Sequence, residues 1–442
     1  MTTRITSENI TDATITATDL AAGAGSTDWQ AVIVADGSTV TTMVSGRGYF
    51  VNTSSAAGIL KFPASASRGD YVEIRDYARS FGNNSLTIQR NGHNVEGSAS
   101  DATIETAGQS VKFVYVDSTK GWVPTDDNTT SQYGKAYITA TGGTITTSGD
   151  YKIHTFTGDG NFIVSQIGNA NGGGAGVSYI VVAGGGGSGG NTYHIQGGGG
   201  GGAGGFRENE HPTDSYTQSP LDGAGDISVS AITYPITVGA GGTAGESGQS
   251  PSNSSSPGAS GTNGSNSVFS SITSTGGGHG GQPNSNSPSP GAAGASGAAE
   301  SGGSGGGEGG AVPGTGYGSG NTPPVSPPQG QGGGAGDTTN YTLGGGGGGA
   351  GAPGTNSGST CSTGGQGGAG VASSITGSPV TYSHGGDSAR PSSDGAGAAN
   401  TGNGGNAAQY YPGPGSPSPY ITSYRGNAGG KGVVILRYKY QN

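Results

Sequence analysis

The chain has 442 residues, 29% apolar and 10% charged, with 99 glycines, a single cysteine and a formal net charge of −10. One cysteine excludes an intrachain disulfide framework and a thiolate metal cluster. With no Lys or Arg between Arg207 and Arg390, nucleic acid is excluded as a partner, because a phosphate backbone needs cations along the contact.

Residues 1 to 27 place Ile5, Ile10, Ile15 and Leu20 at intervals that fit neither helix nor strand. A loose terminus and an extended segment that orders by docking or trimerisation both fit. The opening MTTRITSENI lacks the apolar stretch of a secretory signal, and no apolar run reaches the roughly 18 residues of a membrane-spanning helix; no membrane insertion is expected. From residue 28 to 124 short β-type runs are broken by DG, NN and NG turns. In DYVEIRDY, Tyr71, Glu73 and Arg75 share one face and Val72, Ile74 and Asp76 the other. This alternation predicts a small antiparallel β-sandwich with one wet face. Helical periodicity is absent. Residues 125 to 135, TDDNTTSQYGK, read as a linker, and residues 136 to 442 as a glycine-rich head domain.

Glycine is unevenly placed: 16 of the 99 lie in residues 1 to 150, leaving 83 for the rest. Fixing a glycine backbone costs at least about 1–2 kcal/mol, while a net hydrogen bond returns about 0.5–1.5 kcal/mol. An isolated glycine run therefore stays disordered. The balance changes when many runs lie side by side as extended three-fold helices exchanging hydrogen bonds on every flank. That arrangement needs several nearly pure glycine segments separated by segments that turn back. The chain has them at 184–190, 197–205, 302–310, 332–336, 344–354 and 364–370. Collagen is the rival ordered form, but it needs glycine at every third position with the other two filled. A Gly/Ser linker is the other rival, yet linkers rarely alternate with β-islands such as AITYPITVGAGG. The expected fold class is all-β: a sandwich module, then strands and packed polyglycine II helices.

Chemical motifs are sparse. GGSGG at 186–190 and 302–306 matches a nucleophile elbow around Ser188 or Ser304, a match expected by chance in such a composition. ENEH offers Glu208, Glu210 and His211 to a cation, with a solvated loop as the plainer reading, and Asp214, Asp222 and Asp226 lack calcium-loop spacing. No metal, cofactor or enzymatic activity is expected. The tyrosines between glycine runs are the candidate contact residues: Tyr193, Tyr216, Tyr317, Tyr341, Tyr382, Tyr410, Tyr411, Tyr420 and Tyr424. Tyrosine offers stiff contact area with a polar tip, suited to sugars or exposed protein loops. The same rings could equally cap the glycine sheet or fill interchain contacts. Pro/Ser/Asn-rich stretches at 282–290 and 320–330 read as loops free to vary on a rigid scaffold, and 206–222 and 399–424 as receptor-contacting loops.

The succession HTFTGDGNFIVSQIG, SYIVVAGGGG, ITYPITVGAGG, NGSNSVFSSITSTGGGHGG and GGKGVVILRY resembles the glycine-rich domain of bacteriophage tail proteins and adhesins. Residues 47 to 124 resemble a module of tail fibres from phages of marine cyanobacteria, and ITSENITDATITATDLA is similar to the N-terminal stretches of such fibres. The resemblance implies a virion appendage, a tail fibre or fibre tip. Its implied partners are a host cell-surface glycan or protein and other tail or baseplate proteins, and its implied state is a homotrimer. A structural virion protein, decorating the capsid or forming part of the tail without binding a receptor, is the alternative.

Overall fold

The computed structural model describes residues 27–127, 135–169, 172–191, 197–246, 258–283, 298–310, 316–337, 343–358, 364–388, 395–408 and 425–441. The chain forms two compact units, residues 1–137 with 168–174, and residues 138–167 with 175–442. The expected docking segment, 1 to 27, lies outside the described residues apart from Thr27. All regular structure among the described residues is β, apart from a tight turn near Gly172.

The first unit holds β1 (Asp28–Trp29), β2 (Ile33–Val34), β3 (Val40–Thr42), β4 (Arg47–Asn52), β5 (Gly58–Lys61), β6 (Tyr71–Asp76), β7 (Leu86–Gln89), β8 (Ala102–Ile104), β9 (Ser110–Asp117) and β10 (Gly121–Asp127). Alternation is clean: in β6, Val72 and Ile74 are fully buried while Tyr71, Glu73 and Arg75 face outward. Two sheets enclose one core, in which Trp122 stacks on Phe62 at 4.7 Å. The strand pairing corrects the antiparallel expectation. β2 pairs with β4 and β4 with β6 in one sheet, β3 with β5 and β5 with β7 in the other, and all four pairs are parallel. From β2 to β7 the chain crosses to the facing sheet after every strand, and that facing strand supplies the crossover a parallel pair requires. Antiparallel pairs β7–β8, β6–β9 and β9–β10 complete the two sheets. Period-two alternation reports which face is buried and is silent on which strand lies alongside.

Two further details concern the ends of β6 and β10. Asp76, on the apolar face of β6, is 5% exposed. Its carboxylate accepts from the amides of Ser80, Phe81 and Gly108 at 3.0, 3.1 and 2.8 Å, pinning two turns to the core. β10 also runs through Asp127, so residues 125–127 are strand rather than linker, and 128–134 lie outside the described residues.

The second unit begins with β11 (Thr139–Thr141), β12 (Thr144–Ser148), β13 (Tyr151–Phe156), β14 (Gly160–Gln166), β15 (Gly176–Val182), β16 (Phe206–Asn209), β17 (Ile227–Ser228), β18 (Thr233–Thr237), β19 (Ser267–Phe269) and β20 (Ile272–Ser274). It ends with β21 (Val371–Ser373), β22 (Val380–Tyr382) and β23 (Val433–Lys439). One sheet has the order β12-β13-β23-β15-β16, and a second, β11-β14-β18-β19-β20, packs on one side of it. Phe206, Ile375 and Tyr382 cover its other side. β15 is buried along its whole length and β23 along all but its last residue, which is why SYIVV and VVIL read as unbroken apolar runs.

His154 sits fully buried between these layers, with Nδ1 2.7 Å from the Gly142 carbonyl and Nε2 3.0 Å from the Tyr438 hydroxyl. The carbonyl only accepts, which assigns the proton to Nδ1 and makes Nε2 the acceptor. Burial lowers the His154 pKa below its usual 6.5, outweighing the opposing effect of the Gly142 bond. The unfolded chain therefore takes up this proton first as the pH falls. Stability from His154 is complete above about pH 6.5 and drains as the pH drops toward the lower folded pKa. His154→Asn is expected to flatten that part of the stability–pH curve; an unchanged slope between about pH 6.5 and 5 in denaturant titrations would refute this.

Candidate functional site

Strands of the second unit continue directly into the glycine runs. β15 leads into 184–190, 197–205 leads into β16, β18 leads into 239–246, and 425–432 leads into β23. Within 184–190 the amides of Gly184, Gly187 and Gly190 donate to the carbonyls of Ser265, Thr262 and Ala259. Those of Gly185 and Ser188 donate to Gly430 and Asn427, and those of Gly186 and Gly189 to Gly202 and Gly199. Every third amide thus reaches the same antiparallel neighbour. The carbonyls of this run accept from Gly277 and Gly280, from Gly242 and Gly245, and from Gly405. The run is surrounded on every flank.

The next run repeats the pattern. Gly199, Gly202 and Gly205 donate to Gly281, Gly278 and Thr275; Gly200 and Ala203 to Gly345 and Gly348; Gly201 and Gly204 to Gly405 and Gly402. A Cβ on Gly199, Gly200 or Gly201 would stand 1.9, 1.9 and 2.1 Å from the carbonyl oxygens of Gly307, Gly386 and Gly186. Three successive positions meet three different neighbours, so an enclosed run has to be nearly pure glycine. Slow hydrogen exchange is expected for the amides of 184–190 and 199–205, with protection of about 10⁴ or more, because they open only with the domain. Exchange at the free-peptide rate would contradict the lattice.

At the rim, side chains replace the missing backbone partners. Asn263 and Asn266 accept from the amides of His279 and Gly276 at 2.8 and 2.9 Å. Asn403 and Asn406 accept from His384 and Asp387, each at 2.9 Å. The N-x-x-N spacing in TNGSN and NGGN matches the three-residue period of the runs. That spacing was the sequence signal for a rim position, and composition alone does not reveal it.

The run directions gather the described ends of the runs on one side. Segments 192–196, 247–257, 284–297, 311–315, 338–342, 359–363, 389–394 and 409–424 lie outside the described residues. Residues flanking them bond to one another at the lattice end away from the sheets. Asn191 accepts from the Gly198 amide at 2.9 Å and donates to the Ala408 carbonyl at 3.2 Å. Gly310 donates to Gly197, Asp337 to Leu343, Ser388 to Gly365, and Ala407 to Asp387. Glu308, 3% exposed, accepts from the Gly316 and Gly336 amides, both at 3.2 Å. Arg425 pairs with Glu246.

A family model of the glycine-rich domain matches residues 175–439. The chain belongs to the glycine-rich domain family. No curated protein matches the sequence. The family match begins at Ala175, where the second unit resumes after residues 168–174.

The candidate tyrosines fall into three groups in this glycine-rich domain. Tyr193, Tyr341, Tyr410, Tyr411, Tyr420 and Tyr424 lie outside the described residues, all within the connecting segments in sequence. Tyr317, 52% exposed, lies beside segment 311–315. Tyr216 and Tyr382 are instead at the sheet end. Tyr382 is 3% exposed with its ring 6.1 Å from Phe206, and burial pushes its pKa up to about 12. Tyr216 packs against the same cluster, 5.4 Å from the Arg437 guanidinium, and burial raises its pKa strongly. Tyr382 is a core residue with no face to offer a partner, and Tyr216 is half-buried against the same cluster.

Segments 206–222 and 320–330 also belong to the sheet end rather than to a variable tip. Phe206, Arg207, Glu208 and Asn209 are all buried in β16. The Arg207 guanidinium donates to the carbonyls of Ala224, Ser326 and Pro327, clamping the proline-rich turn, and Gln329, fully buried, accepts from the Thr275 amide at 2.9 Å. The prolines suggested a free loop because they remove donors and fix φ; here that stiffness lets a short turn pack.

The acidic candidates are spent on structure. Glu208 accepts from the Ser373 hydroxyl at 2.5 Å and the Ser219 amide at 2.9 Å; burial raises its pKa, opposed by those bonds. It is a core residue, not part of a solvated loop. Glu210 accepts from the Tyr216 amide, His211 Nδ1 meets the Thr213 hydroxyl, Asp222 accepts from the Glu210 amide and Asp226 from Asn209. Ser188 and Ser304 are both fully buried, and the Ser188 hydroxyl lies between the Asn406 carbonyl, 2.8 Å, and the Asn427 amide, 2.9 Å. Neither serine has room for a substrate carbonyl.

Proposed function

We propose that the chain is a bacteriophage tail-fibre or fibre-tip protein whose glycine runs are packed polyglycine II helices carrying host-binding segments at one end. The observation that carries this reading is the shared end: the described residues that flank eight connecting segments, five to sixteen residues long, bond to one another on the side of the lattice away from the sheets. A scaffold held by backbone bonds between its runs tolerates change in the segments that connect them. Six of the nine candidate tyrosines lie in these segments. The partner is a host surface glycan or protein, bound by shape, tyrosine contact and hydrogen bonds, without covalent chemistry. The three-residue repeat of amide partners supports the polyglycine II reading.

The test exchanges segments 284–297 and 409–424 for unrelated Gly/Ser/Asn sequences of equal length. Labelled protein is then scored for binding to a panel of marine cyanobacterial strains. Binding lost or redirected, with an unchanged unfolding midpoint, is the expected result. Variants that bind every strain as the parent does would overturn the reading.

A further inference from the structure

From β2 to β7 the first unit winds as a coil with one strand per sheet in each turn, and among the described residues nothing pairs with the outer side of its first turn. β1 and β2 lie along the edge of one sheet, beside β4, and β3 along the edge of the other, beside β5. Ala35 and Met43 donate inward to the Asn52 and Lys61 carbonyls at 2.9 and 2.8 Å. Backbone groups alternate in direction along a strand, so the amides of Val34 and Thr42 point away from their sheets. The side chains here are apolar and wet. Of the six large apolar residues exposed among the described residues of this unit, five are Trp29, Val32, Val34, Val40 and Val44, with Val34 at 68%. A cleft between β2 and β3 reaches down to Val51 and Leu60 of the next turn.

An open sheet edge takes up further backbone unless something blunts it. β10, the opposite edge of the first sheet, carries Pro124, a register shift between Pro124 and Asp126, and two aspartates. β2 and β3 contain no proline, charge or bulge. The chain's own course selects the occupant. Thr27, whose hydroxyl donates to Glu73 at 2.7 Å, leads straight into β1, so the chain enters the unit at this edge. Ile33 aligns with Val51 and Val40 with Ile59, 18 and 19 residues later, and Gly48 with Glu73 and Gly58 with Leu86, 25 and 28 residues later. A turn of the coil therefore takes that many residues, and residues 1–26 supply them. Ten of these are Ile or Thr and none is Pro, a composition suited to strands. A tethered segment also acts at high local concentration, whereas a strand from another chain loses its freedom of movement on binding. We propose that residues 1–26 form a further turn of the first unit, pairing with β2 and β3 and covering Val34 and Val40. The proposal stands apart from whatever the connecting segments of the glycine-rich domain bind.

Amide hydrogen exchange on the full chain tests it. Val34 and Thr42 are expected to exchange at least about 100-fold more slowly than free peptide, equally at about 5 and about 100 µM protein. Deletion of residues 2–26 is expected to return both to the free rate while Val51 and Leu60 stay protected. Exchange at the free rate in the full chain overturns the proposal. So does protection that grows with concentration, which would put a second copy on the edge, and so does protection that survives the deletion. Where the deleted chain does not fold, Thr6→Pro, Thr11→Pro and Thr16→Pro together decide, since proline removes strand donors: Val34 or Thr42 has to be released, and unchanged protection overturns the proposal.

Discussion

Gly201→Val is expected to cost the glycine-rich domain more than about 3 kcal/mol, whereas Gly332→Ala is expected to change its stability by less than about 0.5 kcal/mol. At Gly201 the added Cβ would lie 2.1 Å from the Gly186 oxygen and 2.7 Å from its carbon. Relief requires the run 184–190 to retreat, and that run is held on every flank. Each hydrogen bond stretched in the retreat forfeits about 0.5–1.5 kcal/mol, and the displaced run disturbs its own neighbours in turn. At Gly332 the nearest atoms to a Cβ are the Gly318 oxygen at 3.5 Å and the Tyr317 ring at 3.9 Å, ordinary contact distances. Alanine there also narrows the unfolded ensemble, which offsets small losses. Denaturant midpoints of the two variants decide the matter: equal costs would mean that close approach between runs is not what holds the domain.

The sequence makes the material legible and leaves the arrangement hidden. Alternation in β6 and continuous apolar runs in β15 and β23 identify strands and buried faces, because each follows from local geometry. The need for runs to lie side by side follows from the cost of fixing glycine, which requires no knowledge of neighbours. Partner choice is different. The parallel pairing of β2, β4 and β6 depends on where the chain goes between strands, and alternation carries no trace of it. Tyr382 looks like the other inter-run tyrosines until the hairpin of β21 and β22 lays it against Phe206 of the sheet, and Tyr216 until it packs, half-buried, on the same cluster. The asparagines at 263, 266, 403 and 406 were readable in principle, but only once the runs were known to repeat every third residue.

Chain order also shapes the domain. The enclosed runs 184–190 and 197–205 come early, while their partners extend to Gly430, and β23, at the far end of the described chain, is inserted between β13 and β15. Neither the central runs nor the sheet can close until those late residues are present. Long-range pairing of this kind defers its stabilising contacts until the intervening loops have been ordered.

Asp214→Ala is expected to cost about 3–5 kcal/mol, because it strands a buried guanidinium. Asp214 and Arg437 lie far apart in sequence, yet their side chains are 3% and 4% exposed and the Arg437 Nε lies 3.0 Å from both carboxylate oxygens. Ser178 donates to the same carboxylate at 2.8 Å, and Arg437 also donates to the Ile375 carbonyl and lies 4.4 Å from the Tyr151 ring centre. The pair thus joins β23, β15, the segment after β16 and the turn after β21. Desolvating two charges costs nearly what their attraction returns, so the net worth of the pair is small even though breaking it is expensive. That asymmetry gives the test. Asp214→Leu combined with Arg437→Met should be less destabilising than Asp214→Ala alone, since the double change leaves no unpaired charge behind. A double variant that costs the sum of its single changes would show that the two side chains contribute separately, by packing, and that the ion pair does not couple them.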